Sequence, residues 1–217
     1  GRALASIDEP AARGHGANAI AHGLLDRRLS PGVVQEVLLL ADDASGDLVA
    51  ALMDCAPLDS GYLRVALEVI GYRHDRLLFD ASVHFLDTDD PEAKAAALRM
   101  CSLMGRVDRA SHLAVQEACE HPIEFVRVQA VRVAAMLPAT IAVQALWPRL
   151  GDESWWVRKR AAESLAALGR SGQRALRRAA LQHPDRFGRD MAAQILRDSG
   201  LGGQPAPEVP ITLRRVS

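Results

Sequence analysis

The sequence predicts an all-α protein, built as a right-handed α-solenoid of about five to six helical hairpins. Alanine, which loses no side-chain entropy in a helix and is the strongest helix former, accounts for 37 of the 217 residues. Only 4 Phe, 3 Trp and 2 Tyr are present, although β-sandwiches and barrels depend on aromatic and β-branched residues. A pattern also recurs every 31 to 33 residues, a period typical of helical repeat arrays.

The repeated pattern is a basic residue followed by small or apolar residues at positions +3, +4, +7 and +10, with Gly or Pro at +11. Four copies, separated by 33, 31 and 31 residues, begin at Lys94, Arg127, Arg158 and Arg189. The +3, +4 and +7 positions lie on one helix face, and Gly or Pro at +11 ends the helix. Each first helix is preceded by a cap or a proline: Asp90-Pro91, His121-Pro122, Asp152-Glu153-Ser154 and His183-Pro184. A second apolar helix is predicted at about 107–119, 140–150 and 171–182.

This repeat divides the chain into four predicted segments. They are a leading helix and N-terminal cap (1–29, with the helix at 10–28), degenerate hairpins (30–88), well-formed repeats (89–200) and a flexible tail (201–217). Within the degenerate segment, Leu63–Gly71 is predicted as a first helix, with its second helix at about 75–86. The segments Pro31–Leu40 and Asp47–Met53 are predicted to form another pair, with Ser30 as the N-cap.

The best copy of the motif, Val157-Arg158-Lys159-Arg160-Ala161-Ala162-Glu163-Ser164-Leu165-Ala166-Ala167-Leu168-Gly169, resembles the HEAT repeat (armadillo-like) family. The resemblance is strong over 89–200 and weaker over 30–88. It implies an extended array of helices with a large surface and few enclosed pockets. We therefore expect a non-enzymatic scaffold for protein–protein interactions.

A finer resemblance rests on Asp152-Glu153-Ser154-Trp155-Trp156-Val157-Arg158, followed by Arg189-Asp190-Met191-Ala192. These segments are similar to bacterial membrane-anchored HEAT-repeat proteins associated with a processive glycosyltransferase of exopolysaccharide synthesis. The resemblance implies a cytoplasmic domain tethered to the inner membrane, with the glycosyltransferase as a partner. No uncharged apolar run approaches the ~18 residues of a membrane span. Since the chain starts at Gly1 rather than Met, we expect the anchor to lie in a segment that precedes it.

The charge of the chain is divided between its two halves. Residues 1–120 contain 11 Lys and Arg against 19 Asp and Glu, a net charge of −8, whereas residues 121–217 contain 15 against 8, a net charge of +7. Such a basic half can bind an acidic partner. The i, i+3, i+4 spacing of Arg174, Arg177 and Arg178 places them on one face of a predicted second helix, with Arg170 and Lys159 nearby. They are the predicted binding site; the alternative is a solvated face of an amphipathic helix.

Trp155 and Trp156 lie beside Asp152 and near Trp147, and we include the pair among the candidate binding residues. Because tryptophan can stack on a base, the alternative function is a nucleic-acid-binding or DNA-glycosylase-like HEAT protein that uses the basic half. Two adjacent helical side chains point about 100° apart, so at most one of the pair can face a groove, and packing is the favoured interpretation. The acidic first half also disfavours a nucleic-acid partner.

The recurring basic residues, Lys94, Arg127, Arg158 and Arg189, have two interpretations. They could form a ligand-binding ladder, or they could pair with acids and helix-end carbonyls in every repeat. Periodic identity favours the structural interpretation, because each repeat must satisfy the same groups.

The sequence predicts no catalytic residue, no metal and no cofactor. The three cysteines (Cys55, Cys101 and Cys119) lack the CxxC spacing and are predicted to be buried free thiols. No His-Glu dipeptide occurs, and His15 and His22 lack a third ligand nearby. Because His121 and His183 both precede proline, they are predicted to be caps that recur with the repeat.

Overall fold

A computed structural model describes Val49 and residues 60–201 of the chain, and all structural statements below concern these residues. They contain α-helices and short 3₁₀ helices and no β-strand, so the predicted all-α fold is confirmed. The chain divides into two compact units, Gly1–Pro138 (the first unit) and Ala139–Ser217 (the second unit).

The described part of the first unit contains five α-helices and two 3₁₀ helices. They are α1 (Ser60–Arg73), α2 (Arg76–Ser82), a 3₁₀ helix (Val83–Asp87), α3 (Pro91–Met104), a 3₁₀ helix (Arg109–Ser111), α4 (His112–Ala118) and α5 (Glu124–Ala134). Helix α3 lies between α1 and α5 and packs against both. Its buried face contains Ala93, Ala95, Ala96 and Ala97, whose small side chains permit this close packing. The close approach of α1 and α3 is seen at Gly71 of α1, where a Cβ would lie 2.8 Å from Leu103 Cβ.

The second unit contains four described helices: α6 (Ala139–Arg149), α7 (Trp155–Ala167), α8 (Gly169–Gln182) and α9 (Arg186–Asp198). Helix α7 packs against α6, α8 and α9, so it is the central helix of this unit. Its buried face contributes Val157, Ala161, Ala162 and Leu165. The core of this unit is completed by residues from its other helices: Leu146, Leu176, Ala179, Met191, Ala192, Ile195 and Leu196.

The glycines at position +11 of the pattern end the first helices as predicted. Gly105, Gly169 and Gly200 have φ values of +66°, +63° and +66°, a left-handed conformation that costs glycine little. The copy with Pro138 differs: α5 ends at Ala134, and Met136 and Leu137 form a turn before the proline.

Two predicted second helices are shorter than expected. The helix predicted at 107–119 becomes a 3₁₀ turn followed by α4, because Asp108 is extended (φ −74°, ψ 151°) and its carboxylate binds Arg106 at 2.9 Å. The helix predicted at 75–86 becomes α2 and a 3₁₀ helix, whereas those predicted at 140–150 and 171–182 are present as α6 and α8. The predicted leading helix, the pair Pro31–Leu40 and Asp47–Met53 (apart from Val49), and the tail from 202 lie outside the described residues, as do His15, His22 and Cys55.

Candidate binding surface

Helix α8 presents a row of exposed arginines. Its sequence, GRSGQRALRRAALQ, contains four arginines and no acidic residue. Arg170, Arg174 and Arg178 are exposed at i, i+4 and i+8, whereas the opposite side of the helix is buried at Ala175, Leu176 and Ala179. We call Arg170, Arg174 and Arg178 the α8 ridge. Among the described residues, none of the three forms an ion pair with a carboxylate.

The side chains of the α8 arginines have different neighbours. Arg174 Nε donates to the carbonyl of Arg170 at 3.3 Å, one helical turn earlier. The Arg178 guanidinium lies 4.4 Å from the centre of the Trp147 ring, a cation–π contact that fixes its position. Arg177 is half-buried and donates to the carbonyl of Leu201 at 3.3 Å. The sequence grouped Arg177 with the binding residues, but this contact turns its side chain toward the end of the described chain.

Trp155 and Trp156 pack on each other at the surface rather than in the core. Their rings are 4.8 Å apart at 82°, and the two side chains are 43% and 56% exposed. Both lie in the first turn of α7, before its buried face begins at Val157, so neither belongs to the core. Their role in binding stays a prediction. Lys159 Nζ lies 5.1 Å from the centre of the Trp155 ring and 3.9 Å from a Glu163 carboxylate oxygen.

The seven predicted binding residues fall into two groups. The first group consists of the α8 ridge with Arg177, and the second of Trp155, Trp156 and Lys159 on α7. Within the described part of the chain, no hydrogen bond, ion pair or ring contact joins the two groups. Lys159 and Arg160 share the single carboxylate of Glu163, whereas the three arginines of the ridge form no ion pair among the described residues.

The three repeated arginines make the same pair of hydrogen bonds, each in its own repeat. Arg127, Arg158 and Arg189 each donate through Nη1 to the carbonyls six and five residues earlier. The six distances lie between 2.6 and 3.0 Å. Each guanidinium therefore closes the turn that leads into its own helix, which agrees with the structural interpretation of the repeat.

A second hydrogen bond recurs at the start of these three turns and of the corresponding turn before Lys94; we call the four turns the linker turns. In each, the side chain six residues before the repeated basic residue accepts the backbone N–H two residues later, at 2.9 to 3.3 Å. The four acceptors are Thr88, His121, Asp152 and His183. The histidines are thus turn-forming residues, close to the capping role predicted for them. The residue type at this position changes from copy to copy, whereas the presence of a side-chain acceptor does not.

The hydrogen bond to His121 is accepted by an ionisable side chain. Partial burial, followed by the positive charge of Lys94, holds the pKa of His121 below its ordinary value. The neutral ring is therefore favoured, and only a neutral ring leaves Nδ1 free to accept the Ile123 N–H at 3.1 Å.

His183 occupies the corresponding place in a more buried setting, at 3% exposure. Its Nδ1 accepts the Asp185 N–H, and its Nε2 lies 3.2 Å from the carbonyl of Trp147. The ring thereby connects the end of α6 to the turn before α9. A Cβ on Gly188 would lie 2.9 Å from the carbonyl oxygen of Leu150, so the glycine permits this close packing.

The sequence also missed an aromatic position. Two residues before each repeated arginine stand Phe125, Trp156 and Phe187, at intervals of 31 residues, and they are 39%, 56% and 62% exposed. In the second unit, the Arg158 guanidinium lies 5.3 Å from the centre of the Phe187 ring. Alignment of the copies would have revealed these residues as a surface feature of the first helical turn.

The described residues offer no arrangement typical of a catalytic site. No group of three or more His, Cys, Asp or Glu residues in them could hold a metal ion. Asp152, which a glycosylase-like mechanism would need in a groove, has a side chain only 4% exposed that accepts the Ser154 N–H and lies 3.8 Å from Arg149.

Cys101 and Cys119 are buried free thiols as predicted, and burial followed by the charge of Asp108 raises the pKa of Cys101 to about 12. None of the described helices has the length and apolar character that crossing a membrane requires.

Comparison with known proteins agrees with this geometry. No curated protein matches the chain. Residues 83–166 match the family of HEAT repeats, and this range covers the segment from the 3₁₀ helix before α3 to the last turn of α7. The match agrees with the helical repeats and linker turns that the structure shows in this part of the chain.

Proposed function

We propose that the protein is a non-enzymatic interaction scaffold whose α8 ridge binds an acidic segment of a partner protein. HEAT repeats are commonly protein-interaction scaffolds, and residues 83–166 match that family. The observation that carries the proposal is the row of exposed arginines, Arg170, Arg174 and Arg178, on a helix without any acidic residue. Surface helices that serve only as solvated faces usually intersperse both charges.

The spacing of the ridge defines the partner that fits it. Residues four apart on a helix are about 6 Å apart along its axis, so the ridge spans about 12 Å. Carboxylates on every second residue of an extended strand, or on every fourth residue of a helix, recur at nearly the same distance. An acidic segment with either pattern can thus oppose all three guanidinium groups at once. Guanidinium groups suit this role because they bind carboxylates in a bidentate manner.

The partner that we propose is a membrane glycosyltransferase of bacterial polysaccharide synthesis. This part of the proposal rests on the resemblance of Asp152–Arg158 and Arg189–Ala192 to membrane-anchored HEAT-repeat proteins of that system. In that setting the protein acts on the cytoplasmic side of the inner membrane. The exposed Trp155 and Trp156 on α7 offer a second candidate contact surface.

The test is a binding titration with defined peptides. A fluorescein-labelled peptide with Glu at every fourth position is titrated with the purified full chain, and its anisotropy is measured at 50 and 500 mM salt. We expect binding at low salt that weakens at high salt. A peptide of the same composition with its glutamates grouped at one end should bind more weakly. Equal binding of the two peptides, or none, would overturn the proposal that the ridge recognises a spaced acidic segment.

A matched pair of variants locates the site. Arg170→Gln/Arg174→Gln/Arg178→Gln removes the ridge, and glutamine preserves helix propensity. Arg109→Gln/Arg186→Gln/Arg197→Gln removes the same charge from three exposed arginines elsewhere. We expect at least about ten-fold weaker peptide binding for the first variant only, since surface charge pairs contribute up to about 1 kcal/mol each.

The polysaccharide proposal needs its own experiment. Full-length chain is used as bait against detergent-solubilised membranes of the source cells, and the ridge variant serves as the control. Recovery of a processive glycosyltransferase with the wild type and not with the variant is expected. Recovery of nucleic acid instead, released by nuclease and moderate salt, would overturn the protein-scaffold proposal in favour of nucleic-acid binding.

A further inference from the structure

We infer that the α8 ridge also binds a second copy of this chain, through an acidic surface on the first unit. The inference rests on the proposed function, because it names a partner for the same ridge. Five exposed residues of the segment 77–92 define this surface, which we call the acidic face: Leu77, Asp80, Asp87, Asp89 and Glu92.

The acidic face complements the ridge in charge. Residues 75–92 contain six acidic residues and a single arginine, whereas α8 contains four arginines and no acid. Asp80 pairs with Arg106 at 3.1 Å, and Asp90 caps α3. The three remaining exposed carboxylates, Asp87, Asp89 and Glu92, form no ion pair among the described residues.

The two surfaces also fit in spacing. Thr88 is extended, with φ −67° and ψ 150°, so Asp87 and Asp89 on either side of it lie about 6.6 Å apart along the chain. The arginines of the ridge are about 6 Å apart along their helix. Two carboxylates of one copy can therefore face two consecutive guanidinium groups of another.

Each surface carries one nearly fully exposed leucine. Leu77, 84% exposed, lies three residues before Asp80, and Leu181, 79% exposed, lies three residues after Arg178. Residues three apart share a helix face, so each leucine belongs to the same face as its charged neighbour. These are the two most exposed large apolar side chains in the described part of the chain, and burial against a partner removes both from water.

Every copy has both surfaces, so pairing the ridge of one with the acidic face of another joins two different patches. Such heterologous contacts build chains or rings rather than requiring a symmetric dimer. An acidic segment of another protein competes for the same arginines. Self-association therefore decreases when a partner occupies the ridge.

The test is sedimentation velocity of the full chain over a concentration series at 50 and 500 mM salt. We expect the weight-average sedimentation coefficient to rise with concentration at 50 mM salt and to stay at the monomer value at 500 mM. The first variant, Arg170→Glu/Arg174→Glu/Arg178→Glu, and the second, Asp87→Arg/Asp89→Arg/Glu92→Arg, should each remain monomeric. An equimolar mixture of the two should associate, because each then offers the charge that the other lacks.

Two controls separate the contact from general charge effects. Arg109→Glu/Arg186→Glu/Arg197→Glu changes the net charge as the first variant does but keeps both surfaces, and it should still associate. Leu181→Gln removes an apolar contact and no charge, and it should weaken association by about ten-fold or more. Circular dichroism confirms that each variant is helical before it is compared.

The outcomes distinguish this inference from the proposed function. A wild-type chain that stays monomeric at every concentration, or a mixture that fails to associate, would overturn the second-copy contact. If the spaced acidic peptide still binds the ridge in that case, the proposed function stands without it. If self-association depends on the ridge but the peptide does not bind, the second-copy contact is supported and the proposed function fails.

Discussion

A single guanidinium closes three of the four linker turns, and its loss should destabilise the protein. Arg189 Nη1 donates to the carbonyls of His183 and Pro184 at 2.6 and 3.0 Å. Hydrogen bonds from a charged donor contribute about 1.5 to 3 kcal/mol. We therefore expect Arg189→Met to lower the free energy of unfolding by about 2 kcal/mol, measured by urea denaturation. Arg197→Met, at an exposed arginine of the same helix, should change it by less than about 0.5 kcal/mol.

One repeat lacks an N-cap that the other three have. Asp90, Ser154 and Asp185 accept a backbone N–H of their helix, whereas Ile123 at the corresponding position cannot. Ile123→Asp supplies the missing acceptor, but it also removes apolar contacts, so Ile123→Ala is the reference. We expect the Asp variant to be more stable than the Ala variant by about 1 kcal/mol in thermal and urea unfolding. Equal stability of the two would show that the cap does not form here.

The turn at His121 should make stability depend on pH. The pKa of the His121 ring is lowered in the folded protein, so the unfolded chain takes up the proton first as the pH falls. The stabilising contribution is therefore complete above the ordinary histidine pKa of about 6.5 and is lost as the pH falls through the lower folded pKa. His121→Thr installs the acceptor found at Thr88, which does not titrate. We expect this variant to lose less stability than the wild type between pH 7.5 and 5, and a parallel loss would contradict the assignment.

At the scale of elements, the α7–α8 hairpin depends on close approach at one glycine. A Cβ on Gly172 would overlap the carbonyl oxygen of Leu165 and lie 2.6 Å from Leu168 Cβ. Alanine favours a helix over glycine by about 1 kcal/mol, but overpacking costs about 1 to 3 kcal/mol and involves backbone here. We expect Gly172→Ala to destabilise the protein, as measured by its melting temperature. Ala180→Gly in the same helix isolates the propensity effect, and stabilisation by Gly172→Ala would show that the hairpin can open freely.

The helices were predictable from sequence to different degrees. Apolar spacing from Arg158 to Gly169 located α7 and its end, because one helix face is buried and glycine is needed at a positive φ. The break before α4 was not predictable, since it depends on the ion pair between Arg106 and Asp108. Surface features were the least predictable from sequence. Trp155 and Trp156 are exposed because they precede the buried face of α7, and the spacing of apolar residues alone does not reveal this.

At the scale of the whole molecule, the tryptophans and the cysteines of the chain serve as probes that report on the two units separately. All three tryptophans lie in the second unit, and all three cysteines lie in the first. In repeat proteins stability is close to a sum of local terms, so separate units need not unfold together. We expect urea midpoints from tryptophan fluorescence and from labelling of buried thiols to differ, with circular dichroism covering both transitions. Coincident midpoints would show a single cooperative unit.

The linker turns have a consequence for how such an array changes in length. Each turn satisfies its backbone groups with its own side chains, through an acceptor at its start and, in three cases, an arginine at its end. Duplicating or deleting one 31-residue block therefore carries with it both the acceptor at the start of the turn and the arginine at its end. The acceptor at the start of each turn can be Thr, His or Asp. Duplicated blocks can therefore diverge in sequence while they keep the same hydrogen bond between the N–H and this side chain.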